Sequence, residues 1–338
     1  MREISDKDKL FFFGRHFFTL DGLWMIETEN AIGFERALQI DLTVWTRLLK
    51  TIIRRIKRHL DLEENSIENL IRILSFRWTV EGWDFDLLED GTIRINKCPY
   101  NEIMKRNPER HDKIIPICKD MCIPFYKEIV DQYNPKITLK REHYQGLDDS
   151  PYCDFQFFKN GDKFEPTDKL VMDDLDKNDE LYYFESNFFT LDGLWIIELE
   201  NETDWPTALE VDIIVWQRLY KTIFRRVARY LEINSNTIPD LVEILSFSWS
   251  CEGYKYEIKE STETEAIIHI TDCPYEAAMR RNPERHERIK DICLKMCIPF
   301  YEPALNEFNP NIRLERNKFL GTDDKICDFH FVLENNSL

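Results

Sequence analysis

The apolar positions of this chain follow a helical rhythm, then an alternating one, and the whole order is then repeated. Trp45, Leu48, Leu49, Ile52, Ile53, Ile56 and Leu60 recur at helical spacing, as do Trp216, Leu219, Tyr220, Ile223, Phe224, Val227 and Leu231. Each set predicts a long amphipathic helix. An opening helix precedes each, FFTLDGLWMIETEN from Phe17 and FFTLDGLWIIELEN from Phe188. After the long helix Phe76, Trp78 and Val80 alternate, then Trp83, Phe85 and Leu87 alternate on shifted parity across Glu81-Gly82. That slip predicts strands with a β-bulge at the glycine, and Glu252-Gly253 repeats it. A bulge can aim a side chain into a site, so Glu81 and Glu252 are candidate acid–base groups; more often such a glutamate is simply solvated.

The copies lie 171 residues apart through Trp78/Trp249 and 175 apart at Cys98/Cys273, which places the extra residues in the intervening hairpin loop. Self-similarity at this period predicts a tandem duplication. The expected fold is α+β: residues 1–160 and 182–338 each form an antiparallel sheet covered by helices, packed as an internal pseudo-dimer. Residues 161–181 carry eight acids against three lysines and little apolar periodicity, which predicts a solvated linker.

The polar face of each long helix is basic: Arg47, Lys50, Arg54, Arg55 and Arg58, then Arg218, Lys221, Arg225, Arg226 and Arg229. It is either an anchor for an anionic ligand or a solvated face paired with this chain's many acids, the blander account being the stronger.

The candidate chemistry lies in the cysteines. CPYNEIMKRNPERHDKIIPICKDMC from Cys98 to Cys122 matches CPYEAAMRRNPERHERIKDICLKMC from Cys273 to Cys297, and Cys153 and Cys327 follow inside CDFQF and CDFHF. Eight of nine cysteines thus form two quartets: Cys98, Cys118, Cys122 and Cys153, then Cys273, Cys293, Cys297 and Cys327. Cys251 is left over and stands where Val80 does, as an apolar filler. Cys118 and Cys122 share a helix face one turn apart, which suits two ligands of a tetrahedral zinc or other soft-metal site. His111 or His286 could substitute for a ligand. Cys98 and Cys273 sit at predicted helix N-caps ahead of Pro99 and Pro274, where the helix dipole favours the thiolate, so both are candidate nucleophiles. Such a nucleophile would take Glu81, His111 or Asp154 as its base. Reduced core cysteines account for the same pattern. His16 and His143 have no counterparts at Asn187 and Lys318 and are set aside.

Composition narrows the partners. A net charge of −18 argues against nucleic acid and anionic membrane, and no stretch reaches the roughly 18 apolar residues of a membrane span. The first residues lack signal-peptide architecture, so the expected compartment is the cytoplasm, where thiols stay reduced. No phosphate loop, dinucleotide fingerprint, nucleophile elbow or HExxH is present.

At CPY, at the paired ICKDMC and ICLKMC, and at the closing G-x-D-D…CDFxF, the chain resembles the L-2-amino-thiazoline-4-carboxylic acid hydrolase-like family. LDGLW and the long helix resemble a related, functionally unassigned prokaryotic group, and the element layout resembles the 4-vinyl reductase type of ligand-binding domain by architecture only. The resemblance implies hydrolysis of a C–N bond in a small cyclic amidine-type amino acid, carried by Cys98, Cys118, Cys122, Cys153 and their second-copy equivalents. The alternatives are a non-enzymatic sensor holding a small ligand or zinc, and a purely structural scaffold.

Overall fold

The computed structural model describes residues 3–334 apart from 149, 167–169 and 173, and without the side chain at 284. It divides into two compact units: a continuous one, Ile32–Glu198, and a split one that joins the chain up to Ala31 to the chain from Leu199 onward.

In the continuous unit α2 (Phe34–His59) buries the predicted stripe from Leu38 to Ile56. Helix α3 (Ile67–Glu81) starts where the Ser66 hydroxyl accepts the amide N–H of Asn69 at 3.2 Å. It ends at Gly82, whose φ of 79° lets Trp83 donate back to the Trp78 carbonyl at 2.9 Å. The strand predicted over residues 74–81 is therefore helix. Ile67, Leu70, Ile71, Ile73, Leu74, Phe76 and Trp78 are all buried, so this helix is apolar nearly all round. A short window of such a helix mimics strand alternation. The glycine marks a left-handed helix end, not a bulge.

Strands β1 (Asp84–Leu87) and β2 (Ile93–Lys97) follow, then α4 (Pro99–Arg106), a 3-10 turn (Pro108–Lys113), the single turn α5 (Ile114–Pro116), a π-turn (Ile117–Cys122) and α6 (Ile123–Tyr133). Strands β3 (Ile137–Lys140), β4 (Cys153–Lys159) and β5 (Asp162–Lys163) complete an antiparallel sheet of order β1-β2-β4-β3, with β5 on β4. Ile93, Ile95, Phe155 and Phe157 turn one sheet face toward the helices, where Trp78 donates to the Tyr126 hydroxyl at 2.9 Å.

The predicted linker is more than a solvated connector. Leu170 is buried, the amide of Met172 donates to Ser75 Oγ at 2.9 Å, and Thr79 Oγ1 donates to the Met172 carbonyl at 2.8 Å. Residues 167–169 and 173 lie outside the described residues. Helix α7 (Lys177–Glu202) takes up the linker's last residues.

The split unit carries the same plan: α8 (Trp205–Tyr230), α9 (Ile238–Glu252), β6 (Lys255–Ser261), β7 (Glu265–Asp272), α10 (Pro274–Arg280), α11 (His286–Lys295), α12 (Glu302–Phe308), β8 (Ile312–Glu315) and β9 (Cys327–Leu333), with sheet order β6-β7-β9-β8. A capping box between Thr237 and Asp240 starts α9, and Gly253 at φ 89° ends it. The extra residues of this copy lengthen the hairpin strands rather than the loop between them.

The α+β duplication is as expected, but sequence repeats and compact units are different partitions. The opening helix of the first repeat, α1 (Asp6–Ile32), lies mostly with α8, and α7 mostly with α2. The basic faces explain this. Arg226 Nη1 reaches the Arg15 carbonyl at 2.6 Å and Thr19 Oγ1 at 2.9 Å, and Arg218 pairs with Glu27. Arg55 Nη1 reaches Asn187 Oδ1 at 2.6 Å and Thr190 Oγ1 at 3.1 Å, and Arg47 pairs with Glu198. Tyr230 stacks on Phe11 at 4.0 Å as His59 stacks on Tyr182 at 4.2 Å. Two arginines of each basic face thus bind the other repeat's opening helix.

Candidate functional site

Each unit gathers its cysteines around one arginine that follows the third strand of the sheet. In the continuous unit Arg141 donates through Nε to the Asp154 carbonyl at 3.1 Å and through Nη1 to Cys122 Sγ at 3.4 Å. Its guanidinium lies 4.2 Å over the Phe155 ring and 4.7 Å over Tyr144, cation–π contacts that favour an arginine at this half-buried place. Cys118 and Cys122 come from the π-turn, where the Ile123 amide reaches the Cys118 carbonyl. Cys153 begins β4 and accepts the Gln145 amide at 3.3 Å. Gly146 closes the loop over Cys118, and a Cβ there would overlap Cys118 Sγ. Burial, and then the neighbouring Cys122, Cys153 and Cys118, raise the Cys98 thiol.

The split unit builds the same site. Arg316 donates through Nε to the Asp328 carbonyl at 3.0 Å and through Nη1 to the Cys297 carbonyl at 3.0 Å, with its guanidinium 3.8 Å over Phe329. The Leu320 amide donates to Cys327 Sγ at 3.2 Å, and Gly321 lies against Cys293. Here Cys297 also packs against the buried cluster of Ile289, Cys293 and Phe319.

The thiols divide sharply. Burial pushes Cys273 and Cys118 up to about 12, and raises Cys98, Cys153 and Cys327 as well. The hydrogen bond from Cys293 raises Cys293 itself and holds Cys297 down at about 6, with the Arg316 charge helping against burial.

These facts bear on several sequence expectations. Cys98 and Cys273 do occupy N-caps before Pro99 and Pro274, but neither makes a capping hydrogen bond, and burial outweighs the helix dipole. Burial thus works against the thiolate at both places. Among the described residues no three His, Cys, Asp or Glu side chains are placed to hold a metal ion. Beside the sulfurs of Cys98, Cys118, Cys122 and Cys153, and of Cys273, Cys293, Cys297 and Cys327, stands a fixed guanidinium, which already supplies the positive charge. His111 and His286 each bond a backbone carbonyl at 2.7 Å instead, those of Lys105 and Arg280. Asp154 accepts the amides of Glu142 and His143 at 2.7 Å each, which shapes the loop rather than offering a base. Cys251 is buried, as its alignment with Val80 predicts.

Glu81 and Glu252 end α3 and α9 and are buried. Glu81 accepts from Arg77 Nε at 2.8 Å, the Tyr183 hydroxyl at 2.5 Å and Trp83 Nε1 at 3.0 Å. In the split unit Ser248, Phe12 and Tyr254 stand at those three places, and Glu252 accepts from the Tyr275 hydroxyl at 2.8 Å. Sequence reasoning overlooked Arg141 and Arg316, although both keep the repeat offset of Cys122 and Cys297.

The chain is thus two copies of one α+β domain, each with a cysteine–arginine cluster. It belongs to a family of unknown function (DUF6125), whose model matches residues 7–129 and 174–296. Both matches include the opening helix and stop short of Arg141 and Arg316. No curated protein and no solved structure matches the chain. Among the described residues no helix is long and apolar enough to cross a membrane.

Proposed function

We propose that the chain is a cytoplasmic thiol-dependent hydrolase acting on a C–N bond of a small cyclic amidine-type amino acid. The nucleophile is the second cysteine of the helical pair, Cys297 in the split unit and Cys122 in the continuous one, in place of Cys273 and Cys98. The observation that carries this reading is the arginine set against that cysteine in both units, Arg141 on Cys122 Sγ and Arg316 on the Cys297 carbonyl. A thiolate adds to the amidine carbon, the ring nitrogen departs with a proton, and water releases the product and returns the thiol. The arginine holds the thiolate and supplies N–H groups for a substrate carboxylate.

The test is turnover of 2-amino-thiazoline-4-carboxylate by the full chain and by Cys297→Ser, Cys122→Ser and Cys273→Ser. Loss on Cys297→Ser, with Cys273→Ser retaining activity, supports the assignment. No turnover by an intact protein whose Cys297 still alkylates rapidly would replace it with a non-enzymatic small-ligand sensor.

A further inference from the structure

Cys293 and Cys297 differ from the equivalent pair in the continuous unit. Helix α11 ends at Lys295, and the amides of Met296 and Cys297 both turn back to the Ile292 carbonyl, at 3.0 and 3.3 Å. Cys297 therefore hangs just beyond the last helical turn, with Cys293 inside it and Cys297 packed against the cluster that holds Cys293. One helical turn sets the Cα atoms of such a pair about 6 Å apart, and a disulfide spans that separation. Cys297 is only half-buried, whereas Cys293 is covered by Phe319 and Ile289. A partly exposed thiol beside a cation, one turn from a shielded thiol, matches an attacking and a resolving cysteine. In the continuous unit Cys122 takes its hydrogen bond from Arg141, and the π-turn keeps the backbone wound through both cysteines.

We propose that Cys297 and Cys293 form a peroxide-reactive dithiol specific to the split unit. The Cys297 thiolate attacks one peroxide oxygen and the O–O bond breaks. With hydrogen peroxide the other oxygen leaves as hydroxide, which takes up a proton to become water, and Cys297 becomes a sulfenic acid. The Cys293 sulfur then displaces that hydroxyl as a second water, giving the Cys293–Cys297 disulfide. Two thiols and one peroxide yield one disulfide and two waters, a two-electron oxidation that a small dithiol reverses.

The inference shares its thiolate with the proposed hydrolase but is read without turnover. The full chain is treated with stoichiometric hydrogen peroxide, blocked with iodoacetamide and cleaved with trypsin. Cleavage after Lys295 separates the two cysteines, so the disulfide appears as a cross-linked peptide pair that dithiothreitol releases. We expect that pair to form well ahead of any Cys118–Cys122 link, and Cys293→Ser to leave Cys297 as a dimedone-reactive sulfenic acid. Equal oxidation of both units, or over-oxidation of Cys297 with no link to Cys293, would overturn the proposal while leaving the hydrolase reading standing. A Cys297 that neither oxidises nor alkylates would end both.

Discussion

The Tyr183 hydroxyl donates to Glu81 Oε1 at 2.5 Å across 102 residues of chain. Tyr183 belongs to α7, the opening helix of the second repeat, and Glu81 ends α3 of the first. The residue matching Tyr183 in the first repeat is Phe12, which has no hydroxyl to offer Glu252. The exchanged helix is therefore written into the polar core of the continuous unit, and the two copies have diverged at that point.

The divergence predicts unequal costs for the same substitution. Glu81 sits in a buried ion pair with Arg77, and removing one partner of such a pair costs about 3–5 kcal/mol. Glu81→Gln should therefore lower the urea midpoint far more than Glu252→Gln, where Ser248 replaces the arginine. Adding Arg77→Met to Glu81→Gln should cost much less than the sum of the single changes, since both charges then leave together. Additive losses would show that the pair acts as two independent side chains.

The repeat, the two long helices, the α+β class and the N-cap places of Cys98 and Cys273 were legible because periodicity and proline report local geometry. The state of those two thiols was not, because it is set by burial, which arises only when the sheet closes over them. Residues 74–81 misled for a different reason: α3 is packed on nearly all sides, and an apolar run of that length carries no period. The helix exchange left a trace in the sequence, the paired basic faces, but arginines alone do not say which of two near-identical opening helices they bind.

Gly146 and Gly321 owe their identity to close approach, with sulfur as the obstacle. Gly146→Ala should cost about 1–3 kcal/mol by overpacking, and Cys118→Ala in the same chain should restore most of it. Gly321→Ala should respond less to Cys293→Ala, because Ile289 Cγ2 would still stand 2.8 Å from the new Cβ. Thermal melts of the four variants decide this; equal rescue in both units would mean that the sulfur is not the neighbour that forbids the methyl.

His16 gives the split unit an acid-sensitive point. Burial, then the charge of Arg226, lowers it to about 3, whereas the unfolded side chain titrates near about 6.5. Between those values the unfolded chain takes up a proton that the folded chain refuses. Stability contributed by neutral His16 is thus whole above about 6.5 and lost as the pH falls, at about 1.4 kcal/mol per pH unit. His16→Asn places at 16 the residue found at 187, where Asn187 accepts from Arg55. The variant should lose less stability than the parent between pH 7 and pH 4.5 in urea titrations. Parallel losses would free His16 of this role.

The Cys297 thiol supplies the opposite pH signature in reactivity. Cys293 and the Arg316 charge hold it down at about 6, below the value of about 8.5 for an ordinary cysteine. Its alkylation by iodoacetamide should therefore reach half its limiting rate near pH 6, while Cys118 and Cys273, held up at about 12 by burial, react only on unfolding. Cys293→Ala should move that midpoint up more than Arg316→Leu, because the hydrogen bond is the larger influence. The same thiolate stabilises the fold in full above the unfolded value of about 8.5, and that contribution disappears as the pH falls through 6. Cys293, raised in the folded state, acts the other way: above about 8.5 the unfolded chain loses its proton while the folded chain keeps it, and stability declines. Together they predict stability that climbs from pH 6 to about 8.5 and then turns over. Cys293→Ala should flatten both limbs. A midpoint that stays near pH 8.5 in the parent would mean that Arg316 and Cys293 do not hold a thiolate at all.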